Sequence, residues 1–352
     1  RSRGLGDVYK RQAFDGKASL MAIFEAVEHL LSMHFVPNRT IYLAFGHDQK
    51  SGGMHGAQAI AAHFRDKGVY AACAFVDGSF ISNGLIAPIH TDVALVGTAE
   101  KGFATFTIDA LHDEDVGIVP SDQIDAHISG GVQTRLQKKP FPFQICVPVQ
   151  QFIRYAGPEI RFQEKFIFAN STLFINQFFD IYSHSATSRE MLQTTMKIQQ
   201  NAQGVTRITD NSKPTCVTIE ASILPGTTIL QVIQHLQKAL DGMNVEIELQ
   251  KFCGEPSQVA SINSPGFQVL NQSIREVFPQ TIVVPGLVTE KTDGRHYDDV
   301  AEDVYRFSPL KLTRHNVRLL NTSNEQIDVK EFEDAIQFYI QLIRNSAGAG
   351  VR

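Results

Sequence analysis

An apolar run at residues 40–45 leads into a polar, glycine-rich loop and then into a helical pattern at residues 56–67. A second apolar run follows at once, at residues 69–76, and ends at Asp77. Near-continuous apolar strands that alternate with helices are typical of a mostly parallel sheet that is sandwiched by helices. The pattern therefore predicts an α/β fold. Ligands in such folds gather beyond the carboxyl ends of the strands, where the polar loop and Asp77 both lie.

The chain has 352 residues, which is too long for a single small core. From about residue 99 the pattern changes to alternating strands with one amphipathic helix, and the strand-helix alternation returns after about residue 255. We predict a discontinuous α/β domain, residues 13–98 and 255–346, with a smaller α+β domain, residues 99–254, inserted into it. The strand at residues 103–110 belongs to the inserted domain.

The two ends of the chain are interpreted separately from the domains. Residues 1–12 are polar and basic without an apolar centre, so they do not resemble a signal peptide. We interpret them as a non-native or disordered leader at the front of a fragment, and residues 347–352 as a tail. The compartment in which the protein works is left open.

Composition excludes several classes of function. The formal net charge is -5 and no dense Lys/Arg block occurs, which argues against a nucleic-acid surface. No run of about eighteen apolar residues is present, so no transmembrane span is expected. The 4 cysteines lack Cys-x-x-Cys spacing and are interpreted as free thiols rather than as zinc ligands.

The polar loop carries a recognisable motif. It reads Gly46-His47-Asp48-Gln49-Lys50-Ser51-Gly52-Gly53 and resembles the Gly-His-Asp-Glu-Glu-x-Gly-Gly signature of zinc metallopeptidases. The family is that of vacuolar carboxypeptidase S, aminoacylase and secreted N-acyl amino acid hydrolases. Other landmarks of this family follow in the same order, at residues 14–21, 99–103, 139–142, 223–226, 292–297, 304–307 and 324–327. The chain is therefore identified as a member of that family.

The resemblance implies a fold, a cofactor and a substrate class. It implies a zinc-exopeptidase-like catalytic domain with an inserted dimerisation or lid domain, and a homodimer formed through that domain. It implies two zinc ions, which lower the pKa of a bridging water so that a neighbouring Glu can take its proton. The substrates it implies are small peptides or N-acyl amino acids, whose amide bond is hydrolysed.

Several site positions of the family are retained here. The resemblance places the bridging zinc ligand at Asp15 and a further carboxylate ligand at Asp77. It places Asp293, Arg295 and His296 in the loop that lines the substrate end of the cleft, where an Arg suits a carboxylate. A pair of Arg295 and Asp293 that braces a turn explains these residues equally well.

The most reactive positions are substituted. By the resemblance, Gln49 replaces the general base, Val116 replaces the oxyanion His, and Lys50 and Asn321 replace zinc ligands. An amide does not accept a proton near neutral pH, and an ammonium has no lone pair and repels a dication. Because these positions change together, we predict a catalytically inactive homologue in which zinc is doubtful or absent. The alternative is an active or residually active hydrolase with an altered metal site.

Two further hypotheses concern the consequences of these substitutions. Like carboxylates at close range repel each other, so the ammonium of Lys50 could neutralise Asp15 and Asp77 where zinc would sit. A Lys50 side chain that points into solvent is the alternative. A binding or assembly protein needs no zinc, and the strand at residues 103–110 could offer an edge for dimerisation. The retained loop residues His47 and Asp48 are interpreted as shaping the loop rather than reacting.

Overall fold

The computed structural model describes most of the chain, namely residues 14, 16–86, 89, 91–111, 121–159, 175–182, 186–200, 217–320, 322 and 325–348. Three predicted site residues, Asp15, Val116 and Asn321, lie outside these residues, as do the predicted leader and residues 349–352 of the tail. Contacts divide the chain into two compact units. The larger unit comprises Arg1–Ala99, Val147–Ile175 and Gln258–Arg352, and the smaller unit comprises Glu100–Cys146 and Asn176–Ser257.

The α-helices are numbered here in chain order. They are α1 (Lys17–Ser32), α2 (Ala57–Asp66), α3 (Ser121–Lys138), α4 (Val147–Ala156), α5 (Ile175–Tyr182), α6 (Ala186–Leu192), α7 (Ile229–Ala239), α8 (Pro265–Val277) and α9 (Val329–Ala347). Short 3-10 turns occur at Gln49–Ser51, Gly157–Glu159, Asp293–Tyr297 and Asn316–Arg318. Among the helices of the described residues, none combines the length and the apolarity needed to cross a bilayer.

The β-strands are numbered in the same way. They are β1 (Ala74–Val76), β2 (Ile81–Asn83), β3 (Asp92–Glu100), β4 (Gly102–Ala110), β5 (Thr195–Gln200), β6 (Val217–Ile223), β7 (Val245–Leu249), β8 (Ile282–Val288), β9 (Val304–Arg306) and β10 (Lys311–Leu312).

The larger unit contains a six-stranded sheet in the order β1-β9-β3-β2-β10, with β8 also paired to β3. β1 is parallel to β9 and β2 is parallel to β10, whereas β3 is antiparallel to β2 and β9. The predicted α/β class is therefore confirmed, although the sheet is mixed rather than mostly parallel. The chain between Asn83 and Asp92 is too short for the crossover that a parallel pair requires, so β2 and β3 pair antiparallel.

Helices cover this sheet because their apolar faces continue its core. α9 packs against both α1 and α8. Phe338 of α9 is 1% exposed, and its ring lies 5.3 Å from that of Phe307 and 5.2 Å from that of Tyr339. α8 begins at a side-chain cap, since the Ser264 hydroxyl accepts from the amide of Phe267. The amino-acid pattern predicts a helix at residues 273–278, and the structure shows that the helix begins earlier, at Pro265.

The predicted strand at residues 40–45 has no strand pairing within the described part of the chain. Its side chains nevertheless alternate between two helices. The ring of Phe45 lies 5.1 Å from that of Phe24 in α1, and the ring of Tyr42 lies 5.1 Å from that of Phe64 in α2. The prediction of a paired strand was wrong because pairing requires a neighbour, which the amino-acid pattern of a single segment cannot supply. The second predicted strand, residues 69–76, pairs only at β1 and at a bridge from Ala71 to Ala301.

The smaller unit is an α+β structure with a four-stranded antiparallel sheet in the order β5-β6-β4-β7. α3 and α7 pack over one face, and the core between them includes Phe106, Ile219 and Leu236. α7 begins with a capping box, in which Thr228 and Gln231 each bind the other's backbone amide. β4, which contains the strand predicted at residues 103–110, lies between β6 and β7. Our expectation that it offers a free edge was wrong, because both of its sides are already paired.

The predicted inserted domain, residues 99–254, also needs one change. Val147–Ile175 belongs to the larger unit, because α4 packs against β8. The hydroxyl of Thr98 donates to the side-chain oxygen of Gln151 in α4 at 2.9 Å. The chain therefore passes between the two units more often than a single insertion requires. The periodicity of α4 gave no sign of which sheet the helix would cover.

Candidate active-site groove

The motif loop that follows residues 40–45 is closed by its own backbone. Gln49–Ser51 forms one 3-10 turn, and the amides of Ser51 and Gly53 donate to the carbonyl oxygen of Asp48 at 3.0 and 2.9 Å. Gly52 and Gly53 have φ angles of 111° and 70°. These values lie in the left-handed region that favours glycine, so the paired glycines of the motif are required by the shape of the turn.

The Asp48 side chain holds the far side of the same loop. Its Oδ2 accepts a hydrogen bond from the amide of His55 at 2.8 Å, and this bond holds the pKa of Asp48 below its ordinary value. A Cβ on Gly56 would lie 2.5 Å from Asp48 Oδ1 and 2.9 Å from the Cα of Gly46. The Asp48 side chain therefore shapes the loop, which agrees with its interpretation from the sequence.

A second loop, which contains three of the predicted substrate-contact residues, packs directly against the first. The hydroxyl of Thr292 accepts from the amide of Gly294 at 3.0 Å, and Arg295 Nε donates to the carbonyl of Thr292 at 3.1 Å. His296 Nε2 lies 2.8 Å from the carbonyl oxygen of Gly52. Because a carbonyl only accepts, the proton of this imidazole resides on Nε2 when the bond is made.

Asp293 lies where the two loops meet. Its Oδ1 would be 2.8 Å from a Cβ on Gly53, and its Oδ2 would be 3.2 Å from a Cβ on Gly46. Glycine is therefore needed at both positions for the carboxylate to approach the motif loop this closely. The structure thus places Asp293 beside the loop that carries Gln49 and Lys50, although the two segments are far apart in the sequence.

The carboxylate of Asp77 is held by two hydroxyl groups. Ser19 Oγ, from α1, donates to Asp77 Oδ1 at 3.0 Å, and Ser308 Oγ donates to the same oxygen. Burial raises the pKa of Tyr339 above its ordinary value, and the nearby negative charge of Asp77 raises it further. Ser19, Ser308 and Tyr339 were not identified from the sequence. They belong to three separate segments, and no motif links serines at such distant positions.

Four of the predicted site residues line a single groove of the larger unit. They are Gln49, Lys50, Asp77 and Asp293, and the groove has a volume of about 1410 Å³. Gln49 is half-buried and Lys50 is exposed. Arg295 and His296 are not among the lining residues. The positions of Asp15, Val116 and Asn321 in the site remain predictions, as does neutralisation of Asp15 and Asp77 by Lys50.

Glu325 is a further residue that the sequence did not single out as functional. It lies in the landmark at residues 324–327 and is 7% exposed. Its Oε2 accepts a hydrogen bond from the amide of Phe14 at 3.1 Å. The residue after Phe14 in the chain is Asp15, so this bond fixes the backbone beside the predicted bridging position.

The described residues of the groove do not fit a two-zinc centre. In the part of the chain that the structure describes, no three His, Cys, Asp or Glu side chains are grouped so that they could hold a metal ion. Asp77 accepts from two hydroxyls, and Asp48 is held by its own loop. Zinc requires lone-pair donors, whereas Lys50 contributes an ammonium.

Comparison with known proteins agrees with the fold and the motif loop. The sequence model of peptidase family M20/M25/M40 matches residues 6–345. The chain therefore belongs to this peptidase family.

Two curated relatives show which proteins of the family resemble it. It is 28% identical over 344 residues to the N-fatty-acyl-amino acid synthase/hydrolase of Mus musculus, with 97% of this chain and 68% of the relative covered. It is 24% identical over 388 residues to carboxypeptidase S of Saccharomyces cerevisiae, with 96% and 65% covered. The chain thus spans about two thirds of the length of these relatives.

A solved structure supports the same fold. The M20 family metallo-carboxypeptidase from Sulfolobus solfataricus superposes with a TM-score of 0.61 at 16% identity, covering 94% of this chain and 75% of that one. At this level of identity the likeness concerns the fold alone. The predicted family and the predicted fold class are therefore confirmed.

Proposed function

We propose that this protein is a member of the amide-hydrolase family that does not hydrolyse amide bonds. The observation that carries the proposal is the pair Gln49 and Lys50, which lines the groove at the tip of the motif loop. The turn and its glycines are intact, so the loop presents these two side chains from an ordered turn. The change lies in the chemistry of the side chains and not in the fold of the loop.

The two substitutions remove different parts of the reaction. A Gln amide can orient a water molecule, but it cannot take the proton that the attacking water must lose. A Lys ammonium places a positive charge where the family places a dication, and it offers no lone pair to a metal. Val116 and Asn321, at the oxyanion and metal-ligand positions of the family pattern, support the same conclusion from the sequence.

The ligand class that we propose is a small peptide or an N-acyl amino acid. The support is the relative from Mus musculus, which is an N-fatty-acyl-amino acid synthase/hydrolase. Arg295 does not support this ligand class, since it does not line the groove and both of its terminal nitrogens are buried.

The test measures metal content and turnover in the full-length protein. We expect fewer than two zinc ions per chain by elemental analysis, and no hydrolysis of a dipeptide or an N-acyl amino acid with added zinc. Yeast carboxypeptidase S, assayed alongside, controls for the assay. Two bound zinc ions together with turnover would contradict the proposal. Turnover with a different metal content would favour the alternative, a hydrolase with an altered metal site.

As a second proposal, the smaller unit forms a homodimer through β5. Of the described strands, β5 and β7 lie at the ends of its sheet. Two β7 strands paired by symmetry would bring the exposed Glu246 and Glu248 close to their copies, which is unfavourable. β5 instead offers Lys197 and Gln199, so it is the better edge. Sedimentation equilibrium should give a dimer mass, and a monomer mass at micromolar protein would contradict this proposal.

A further inference from the structure

The smaller unit has a pocket of its own, with a volume of about 270 Å³. We call it the threonine pocket, because Thr194 and Thr227 line it together with Gln144 and His235. All of its lining residues belong to the smaller unit, and the described residues that line it include no carboxylate. The lining is therefore polar and carries no negative charge.

The walls of the threonine pocket are held by their own contacts. The side-chain amide of Gln193 donates to the carbonyl of Phe141. The ring of Phe141 stacks on that of His235 at a centroid distance of 4.0 Å, and His235 Nε2 lies 2.8 Å from the carbonyl oxygen of Lys139. The pocket is thus formed by fixed side chains, as binding sites for small molecules usually are.

Two buried threonines direct hydrogen-bond donors into the pocket. Thr194 is 3% exposed, and its hydroxyl accepts from the amide of Leu224 at 3.1 Å. The hydroxyl also has a proton to donate, for which the described residues offer no acceptor. Thr227 is 8% exposed and shares one hydrogen bond of 3.0 Å with the side-chain amide of Gln144. Whichever way that amide is turned, this pair of side chains keeps further polar hydrogens.

A buried ammonium lies directly behind Thr194. Lys101, between β3 and β4, is 2% exposed. Its Nζ donates to the carbonyl of Glu190 at 2.8 Å and to that of Gln193, the residue before Thr194, at 3.0 Å. Two neutral carbonyls use its hydrogens but do not balance its charge. The carboxylate of Glu190 instead lies 3.9 Å from the exposed Lys197.

The charge of Lys101 therefore calls for an anion nearby. Burial lowers the pKa of Lys101 to about 8, so the side chain is still charged at pH 7. A buried charge is costly unless an opposite charge accompanies it. Glu255 is already bound, since both of its oxygens accept from the amide of Ile229, at 3.1 and 3.0 Å, and it does not line the pocket.

We propose that the threonine pocket binds a small oxyanion, which is either inorganic phosphate or the carboxylate group of a small organic acid. Its oxygens accept from Thr194 and from the pair of Thr227 and Gln144, and Lys101 supplies the opposite charge from behind. Hydrogen bonds to an ionised acceptor are the strong ones. This inference does not depend on whether the groove of the larger unit hydrolyses amides, because the pocket belongs to the smaller unit.

Exposed lysines add positive charge at the same end of the smaller unit. Lys139, whose carbonyl holds His235, is exposed, and its Nζ donates to the carbonyl of Lys238 at 3.2 Å. Such charges raise the local concentration of anions. They are not needed to hold the oxyanion, which is bound by the buried groups.

NMR of the threonine methyl groups tests the proposal on the 352-residue chain. Sodium phosphate and sodium acetate are titrated separately at pH 7, with chloride keeping the ionic strength constant. We expect the methyl signals of Thr194 and Thr227 to shift with a Kd of about 1 mM or less for at least one anion, and that of Thr107 to stay in place. The anion that binds identifies the source of the oxyanion. Titrations in which neither anion moves the pocket signals would overturn the proposal.

Substitutions show whether the buried groups hold the anion. Thr194→Val and Lys101→Met should each weaken binding about tenfold or more, read from the methyl of Thr227, because a hydrogen bond or a charge is lost. Thr194→Ser keeps the hydroxyl and should bind within about twofold of wild type. It also separates loss of the donor from loss of folding.

Two controls separate this pocket from the rest of the surface. The hydroxyl of Thr107 also accepts from a side-chain amide, that of Gln250 at 3.1 Å, but it lies outside the pocket, so Thr107→Val should bind like wild type. Lys139→Ala should weaken binding less than about threefold, as expected for an exposed charge. Binding that survives Thr194→Val and is lost in Lys139→Ala would identify adsorption to surface lysines, and would overturn the proposal.

Discussion

Replacing Arg306 by alanine is expected to lower the free energy of unfolding of the larger unit by about 3–5 kcal/mol, the usual cost of removing one member of a buried charged pair. The Arg306 side chain is 0% exposed. Its Nη1 donates to the carbonyl of Val304 at 3.0 Å, and its Nη2 lies 3.9 Å from Oδ1 of Asp298, a side chain that is 14% exposed. Alanine would leave a cavity, and the largely buried carboxylate of Asp298 would lose the nearby guanidinium.

The position of Arg306 explains why its replacement should also change the backbone that borders the groove. Its guanidinium would lie 2.8–3.0 Å from a Cβ on Gly294, inside the turn that holds Asp293. Its own Cβ would lie 2.8 Å from a Cβ on Gly78, the residue after Asp77, and 3.0 Å from one on Gly97 in β3. Alanine keeps this Cβ, so what the variant loses is the support that the guanidinium gives to the turn holding Asp293. Faster hydrogen exchange in Asp293–Tyr297 should accompany the lower stability.

The measurement is urea unfolding of wild type and variant, followed by hydrogen exchange of the native proteins. Arg65→Ala is the matched control, because Arg65 lies 3.9 Å from Asp299, the same distance as in the buried pair, but the two side chains are 46% and 74% exposed. We expect it to cost about 0–1 kcal/mol. A change below about 1 kcal/mol for Arg306→Ala, the level of an average substitution, would show that the buried guanidinium does not support the unit.

Replacing Phe106 by alanine is expected to cost about 3–5 kcal/mol in the smaller unit, as deletion of a fully buried aromatic side chain usually does. Phe106 is 0% exposed at the centre of β4, which is paired on both sides. Its side chain belongs to the core that α7 covers with Val232 and Leu236. Because neighbours surround it on all sides, the cavity cannot collapse without moving the sheet.

Hydrogen exchange resolved along the chain measures this effect unit by unit. The amides of β4 and β6 should lose protection in Phe106→Ala. Phe252→Ala is the matched control, since that ring is 37% exposed and contacts Phe103 at a centroid distance of 4.8 Å. It should cost about 1 kcal/mol. An equal decrease in the free energy of unfolding in the two variants would show that burial of the ring does not determine the size of the decrease.

Elements with a complete local signal were predicted well. The amphipathic pattern at residues 228–240 predicted α7, and the alternation at residues 103–110 predicted β4. The motif loop was also predicted, because its glycines fix left-handed backbone angles wherever the loop is placed. In each case the signal lies within one segment of the chain.

Features that depend on distant partners were not predicted. The partners of Asp77, namely Ser19 and Ser308, come from separate segments and share no motif with it. The packing of α4 against β8 assigned Val147–Ile175 to the larger unit, although the periodicity of the helix suits either unit. The central place of β4 in its sheet likewise depends on strand pairing, which the alternation of a single strand does not predict.

The sequence by itself determined the family, the α/β class and the identity of the side chains at the motif loop, including Gln49 and Lys50. These follow from residue type and local periodicity, which do not depend on how the chain is arranged. The tertiary structure alone decided that Gln49, Lys50, Asp77 and Asp293 share one groove. It alone decided that residues 40–45 and β1 line that groove as well. Burial, hydrogen bonding and strand pairing are properties of two segments together, so they exist only once the chain has folded.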